Sequence, residues 1–301
     1  MKNLKEIVMK YLFLAAACVS ILAVALICIF LFANGIPTIA KIGPFNFLLG
    51  KEWKPLSEVF GIFPMILGSI YVTAGAMIIG IPIGVLTAIF MSQFCNKKIY
   101  RFIKPAIELL AGIPSIVYGF FGLVVIVPII QDLYGGSGKG ILAASILLGI
   151  MILPTIINVT EASLNAVPSS YYEGSLALGA THERSVFCVI VPAAKSGVLS
   201  AVILGVGRAI GETMALIMVA GNSPAMPEGL LSSVRTLTSN IVMEMGYAQG
   251  LHREALIATA VVLFVFILMI DFAFSVVKNK AAKQNQEGLS YGKIKNGFKI
   301  S

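Results

Sequence analysis

The sequence predicts an all-α integral membrane protein with six transmembrane helices, and three observations carry that prediction. Of 301 residues, 58% are hydrophobic and only 12% are charged, whereas a soluble domain carries about twice that charge. Uncharged runs lie between Lys10 and Lys41, between Glu58 and Lys97, and between Lys139 and Glu161. Each holds at least the ~20 apolar residues that cross a bilayer as a helix. Basic residues gather at alternate ends of these runs. Lys2, Lys5 and Lys10 precede the first, Lys97, Lys98, Arg101 and Lys104 follow the second, and Lys278, Lys280, Lys283, Lys293, Lys295 and Lys299 fill the tail. Such alternation is the positive-inside bias, so the net charge of +8 sets orientation and is not a nucleic-acid footprint. The cysteines, Cys18, Cys28, Cys95 and Cys188, form no spaced cluster, which argues against disulfides and a metal site.

The first helix spans Tyr11 to Phe32 with the N-terminus inside; it is too long for a signal core and lacks a small-residue cleavage site. Asn34 to Gly61 follows outside and contains the only tryptophan, Trp53, which suits an interfacial anchor. The second helix, Phe63 to Phe94, carries Gly80 and Gly84 as a GxxxG that admits a neighbouring helix, with a kink expected at Pro82. After the basic loop Cys95 to Lys104, a third helix covers Ala106 to Gln131 and should bend near Pro114. The turn Asp132 to Lys139 contains YGGSGKG, but a phosphate-binding GxxxxGK[ST] would need glycine at Leu133 and serine or threonine at Gly140. The fourth helix is Ile141 to Thr160, the fifth Ser196 to Val219 and the sixth Glu254 to Val277. Between the last two, Gly221 to Arg253 is external, and its amphipathic stretch from Leu230 to Met245 suits a re-entrant segment. Six crossings place both termini in the cytoplasm. The chain thus divides into residues 1–62, a core of 63–277 and a basic tail of 278–301.

Glu161 to Pro192 is a cytoplasmic interruption between apolar helices. Glu173 precedes the small residues Gly174 and Ser175, Gly179 follows six after the glutamate, and Val189-Ile190-Val191 leads into Pro192. Helix-permissive segments on either side of a glycine make two short helices, a projecting knob. By itself this reads equally as a solvated loop, and His182 as a plain loop residue.

The fifth helix carries GVGRAIGETMAL, where Arg208 and Glu212 stand four apart, on one helical face within pairing distance. A charge at mid-bilayer costs at least ~2.5–3.5 kcal/mol, so it should face protein or a water-filled path. Two readings stay open: an internal ion pair that locks the helix, or an arginine offered to a crossing anion with Glu212 weakening its grip. Glu108 reads as a cap near a helix start, Asp271 as interfacial, and Ser115 and Tyr118 as packing residues.

The spacing Glu173-Gly174-Ser175, Gly179, Pro192 resembles the coupling loop of permease subunits in bacterial ABC importers, with Gly174 and Ser175 standing where two alanines are usual. GRAIGETMAL, AGIPSIVYGFFGL (Ala111–Leu123) and GNSP (Gly221–Pro224) resemble the C-type permease of the phosphate-specific importer. The resemblance implies several things. Glu173, Gly174, Ser175, Gly179 and Pro192 would serve ATPase coupling; Arg208 and Glu212 would line a substrate path for inorganic phosphate. Partners would be an A-type permease paralogue, cytoplasmic ATPase subunits and an external phosphate-binding protein. The chain, a multi-pass protein of the plasma membrane in contact with lipid, would be no enzyme and bind no cofactor, ATP being hydrolysed by the partner subunits. The rival readings are a permease for sulfate or molybdate, a secondary transporter using Glu108 or Glu212 for protons, and a non-transporting scaffold.

Overall fold

The structure is a computed structural model describing the backbone of residues 2–297 and the side chains of residues 5–276. The basic side chains of the tail lie outside the described residues. Helix α1 (Lys2–Ile42) leads through the short α2 (Pro44–Leu49) into a hairpin of β1 (Trp53–Lys54) and β2 (Val59–Phe60). Next come α3 (Phe63–Ile89), α4 (Lys97–Gly112), α5 (Ser115–Phe121), α6 (Val127–Tyr134) and α7 (Ile141–Asn165). Among the described residues, five helical stretches are long and apolar enough to span a bilayer: Lys5–Ile42, Phe63–Phe94, Ser115–Tyr134, Ile141–Asn165 and Gly250–Val276. The bent pair His182–Ala193 and Lys195–Gly211, at 67°, makes a sixth when taken as one span.

The third predicted helix is divided differently from expectation. Asn96 caps α4, its side chain accepting from Lys98 N at 3.2 Å. The helix runs until Ile113, which is extended (ψ 127°) because the ring of Pro114 disfavours helix in the residue before it. Glu108 therefore lies well inside α4, exposed, and not in a first turn. Tyr118 closes the break: its hydroxyl donates to the Leu110 carbonyl at 2.8 Å, an acceptor that otherwise takes only a long 3.4 Å bond from Ile113 N.

Helices α3 and α7 form the centre of the bundle. A side chain on Gly80 would stand 2.8 Å from Ile152 and 3.0 Å from the Gly149 carbonyl, and one on Gly84 would stand 2.8 Å from Ile156. The GxxxG thus permits close contact with α7, as its spacing predicts. Val72, Ala76, Leu147, Leu148, Met151 and Ile152 fill the core around this crossing. Helix α7 continues past Thr160 to Asn165, so Glu161 is buried on a helix and is not part of a loop.

The end of α1, the hairpin, the helix Leu237–Met245 and the start of the helix at Gly250 meet at one end of the bundle. Trp53 pairs with Phe60 across the two strands, ring edge to face at 5.4 Å. Trp53 is buried and donates its indole N–H to Glu244 Oε2 at 2.9 Å, so it is a core residue and not an exposed interfacial anchor. Phe47, Ile62, Met65, Leu237 and Leu256 close the cluster around it. On the other side of the molecule α8 (Ser169–Ala177), α9 (His182–Ser185) and α10 (Val191–Ala193) form the knob. The chain then returns through α11 (Lys195–Gly211), α12 (Met214–Val219) and α13 (Leu237–Met245) to α14 (Gly250–Gly297).

Candidate functional site

The knob is built by local hydrogen bonding. Helix α8 ends in a glycine stop: Gly179 has φ +84°, its N–H reaches the Leu176 carbonyl at 2.9 Å, and Ala180 N reaches the Ser175 carbonyl at 3.2 Å. This pair of bonds is the Schellman arrangement, and glycine adopts its left-handed residue without steric cost. Thr181 then caps α9, its hydroxyl accepting from Arg184 N at 3.4 Å. Ser175 ties the two short helices together. It donates to Ser185 Oγ at 2.9 Å, and Ser185 donates onward to the Thr181 carbonyl at 2.9 Å. Ser175 therefore adds a tertiary hydrogen bond in exchange for helix propensity.

At the tip, Glu173, Gly174 and Gly179 are exposed, and Leu178 is 91% exposed beside them. No atom lies within 4 Å of a side chain placed on Gly174 or Gly179. The sequence reading missed Leu178, since a leucine in a short apolar run looks like any packed residue.

His182 is the second residue missed. It is a clasp and not a plain loop residue: Tyr172 Oη lies 2.9 Å from its Nδ1, and its Nε2 lies 3.1 Å from the Gln93 carbonyl. Its ring also meets Phe94 edge-on at 4.8 Å. Since Gln93 and Phe94 continue α3 as a wide π-helical turn, the knob is fastened to the end of that span. Beneath the clasp, Ile89, Leu164, Val186 and Ile190 bury an apolar plug joining α3, α7 and the knob. Pro192 lies just past another wide turn, Val186–Ile190, which gives its ring room against the preceding carbonyl. The 67° bend into α11 follows at Ala194.

Arg208 and Glu212 are not brought together. Helix α11 stops at Gly211, and Glu212 is extended with ψ 132°, so the one-face geometry expected of a continuous helix does not form. The Glu212 carboxylate turns forward, accepting from Thr213 N at 3.1 Å and Ala215 N at 3.2 Å. Those amides open α12 and have no partner within the helix, which makes a carboxylate their natural acceptor. The Glu212 carbonyl in turn accepts from the Thr238 hydroxyl at 3.1 Å, anchoring α13 to the break. Arg208, half-buried, donates through one nitrogen to Thr155 Oγ1 of α7 at 3.3 Å. Among the described residues it joins no ion pair. A guanidinium has five N–H donors, so most of its capacity is left for another acceptor.

Two buried charge clusters also escaped the sequence reading. Glu161 accepts from Lys104 at 2.7 Å and from the Tyr100 hydroxyl at 2.7 Å, while Lys104 also reaches Asn158 at 2.9 Å. The hydrogen bond to Glu161, reinforced by burial, pushes the Tyr100 hydroxyl up to about 12. At the hairpin end, Glu244 accepts from Arg235, from Trp53 at 2.9 Å and from His252 at 2.7 Å. Each joins side chains from separate elements, which no spacing rule along one helix can find.

Transport permeases of ABC importers match this helical bundle and its glycine-turned knob, in sequence and in fold. The sequence profile of the family described as "Binding-protein-dependent transport system inner membrane component" matches residues 80–283, and the chain belongs to that family. It is thus a multi-pass membrane component of a binding-protein-dependent transport system. It is 38% identical over 285 residues to a "Probable ABC transporter permease protein YqgH" of Bacillus subtilis, covering 91% of this chain and 92% of the relative. It is 34% identical over 277 residues to the "Phosphate transport system permease protein PstC" of Mesorhizobium japonicum, covering 85% and 84%. Among solved structures, a bacterial transporter that imports the acidic polysaccharide alginate superposes with a TM-score of 0.60 at 13% identity, covering 93% of this chain and 99% of that one. The MetNI methionine ABC transporter superposes with a TM-score of 0.55 at 23% identity, covering 73% and 94%. These two likenesses show the fold.

Proposed function

We propose that the chain is the permease subunit of an ATP-driven importer of inorganic phosphate, forming half of the translocation path. The supporting observation for the path is the unpaired guanidinium of Arg208, which offers donors to an oxyanion while Thr155 holds its orientation. The relatives named as phosphate permeases favour phosphate over sulfate or molybdate. The other half of the path would come from an A-type permease paralogue. An external phosphate-binding protein would deliver substrate at the hairpin end, and cytoplasmic ATPase subunits would close around the knob at Glu173, Gly174, Gly179 and Leu178. In this reading both termini are cytoplasmic, the chain resides in the plasma membrane, and its core is 63–277, flanked by 1–62 and 278–301. Motion of the knob passes through His182 to α3 and through the apolar plug to α7, which carries Thr155 beside Arg208. ATP binding would thereby alternate access to the arginine.

The test is ATP-dependent uptake by the importer reconstituted with its partners, using labelled phosphate with sulfate as competitor. Arg208→Ala is expected to lower phosphate uptake about 10–100-fold, the range of a lost charge-assisted hydrogen bond, with assembly intact. Unchanged uptake would remove Arg208 from the path, and loss of assembly would make it a packing residue. Equal competition by sulfate would overturn the phosphate assignment.

A further inference from the structure

Helix α4 carries three cations on one stripe. Lys97, Arg101 and Lys104 fall at i, i+4 and i+7, one face of a helix. They line, with Tyr100, Met91 and Cys95, a groove of about 530 Å³ between the end of the Phe63–Phe94 span and α4. Lys104 is committed to Glu161 at 2.7 Å. Lys97 and Arg101 are exposed, and among the described residues neither has a carboxylate within salt-bridge distance. Glu108, on the same stripe, is about 10 Å further along the axis from Arg101. The groove therefore presents net positive charge that the chain does not itself neutralise.

Its depth and flank identify the occupant. The span that ends at Phe94 has 32 residues, about 48 Å of helix against ~30 Å of hydrocarbon. Residues at its end therefore reach the polar headgroup layer. On the flank of α4 away from the cationic stripe, Ile99, Phe102 and Leu109 are exposed, Phe102 by 80%. A cationic groove at this depth, with Met91, Tyr100 and Pro105 beside its charges and apolar side chains further round the same helix, matches the anionic head of an amphiphile among the cations. We propose that this groove binds the headgroup phosphate of an anionic phospholipid through Lys97 and Arg101. The groove lies at the same end as the knob, because Gln93 and Phe94 touch His182. A lipid there would brace the turn through which the knob meets α3.

Native mass spectrometry of the delipidated full chain, purified with the subunits that accompany it, tests the proposal by titration with phosphatidylglycerol, phosphatidylcholine or inorganic phosphate. The wild type is expected to retain phosphatidylglycerol in preference to phosphatidylcholine. Lys97→Ala with Arg101→Ala should lower that preference about 30-fold, from the usual contribution of two surface cations. Lys97→Arg with Arg101→Lys should keep it, which separates charge from folding. The proposal fails if the alanine pair retains phosphatidylglycerol as the wild type does. It fails equally if inorganic phosphate displaces the lipid at matching concentration, which would mark a site for a small anion. Loss of an accompanying subunit from the alanine pair, with lipid retention unchanged, would show that a protein covers the groove.

Discussion

Glu212 sits where α11 stops, and its carboxylate holds the first amides of α12. Replacing a side chain that caps free helix amides costs about 1 kcal/mol. Glu212→Ala should therefore lower the unfolding free energy of the purified chain by about 1 kcal/mol, whereas Glu212→Gln, which keeps an acceptor oxygen, should lower it by much less. A denaturation series on both variants decides between them, and equal losses would point to the charge itself. A four-residue spacing made Arg208 and Glu212 look paired because it presumes an unbroken helix. At the break between Gly211 and Met214 the Thr238 hydroxyl donates to the Glu212 carbonyl, a contact from another part of the chain that spacing does not report.

Among the elements, the knob has the clearest mechanical consequence. Its outline was legible in the sequence because a glycine between helix-permissive segments is a local signal, set by residues within one helical turn. Its fastening was not legible. Gln93 is remote from His182 in sequence, and a lone histidine in a polar loop carries no pattern. His182→Ala is expected to uncouple the motor: basal ATPase activity of the assembled importer should stay near wild type, while stimulation by the loaded binding protein should fall several-fold. Tyr172→Phe, which removes one bond to the ring, should fall between the two. Full stimulation in His182→Ala would place the linkage in the apolar plug of Ile89, Leu164 and Val186 alone.

Across the molecule, the Glu244 cluster draws the hairpin, the segment before α13 and the start of α14 to one carboxylate. Removing one member of a buried ionic group leaves its partners charged and unmatched, at a cost of about 3–5 kcal/mol. Glu244→Ala is expected to destabilise the purified chain by about that amount in a chemical denaturation, and a loss below 1 kcal/mol would mean that water reaches Arg235 freely. The membrane-spanning character of the chain, the GxxxG contact of Gly80 and Gly84 and the glycine at the centre of the knob were determined by the sequence itself, because bilayer transfer, helix periodicity and glycine's backbone freedom act over neighbouring residues. The breaks in the third and fifth spans were not. Only the tertiary structure decided what each charge meets: Glu161 with Lys104 and Tyr100, Glu244 with Arg235 and His252, Arg208 with Thr155. A buried charge requires a partner wherever the packed chain brings one, and that location is a property of three-dimensional neighbours, not of spacing along the chain.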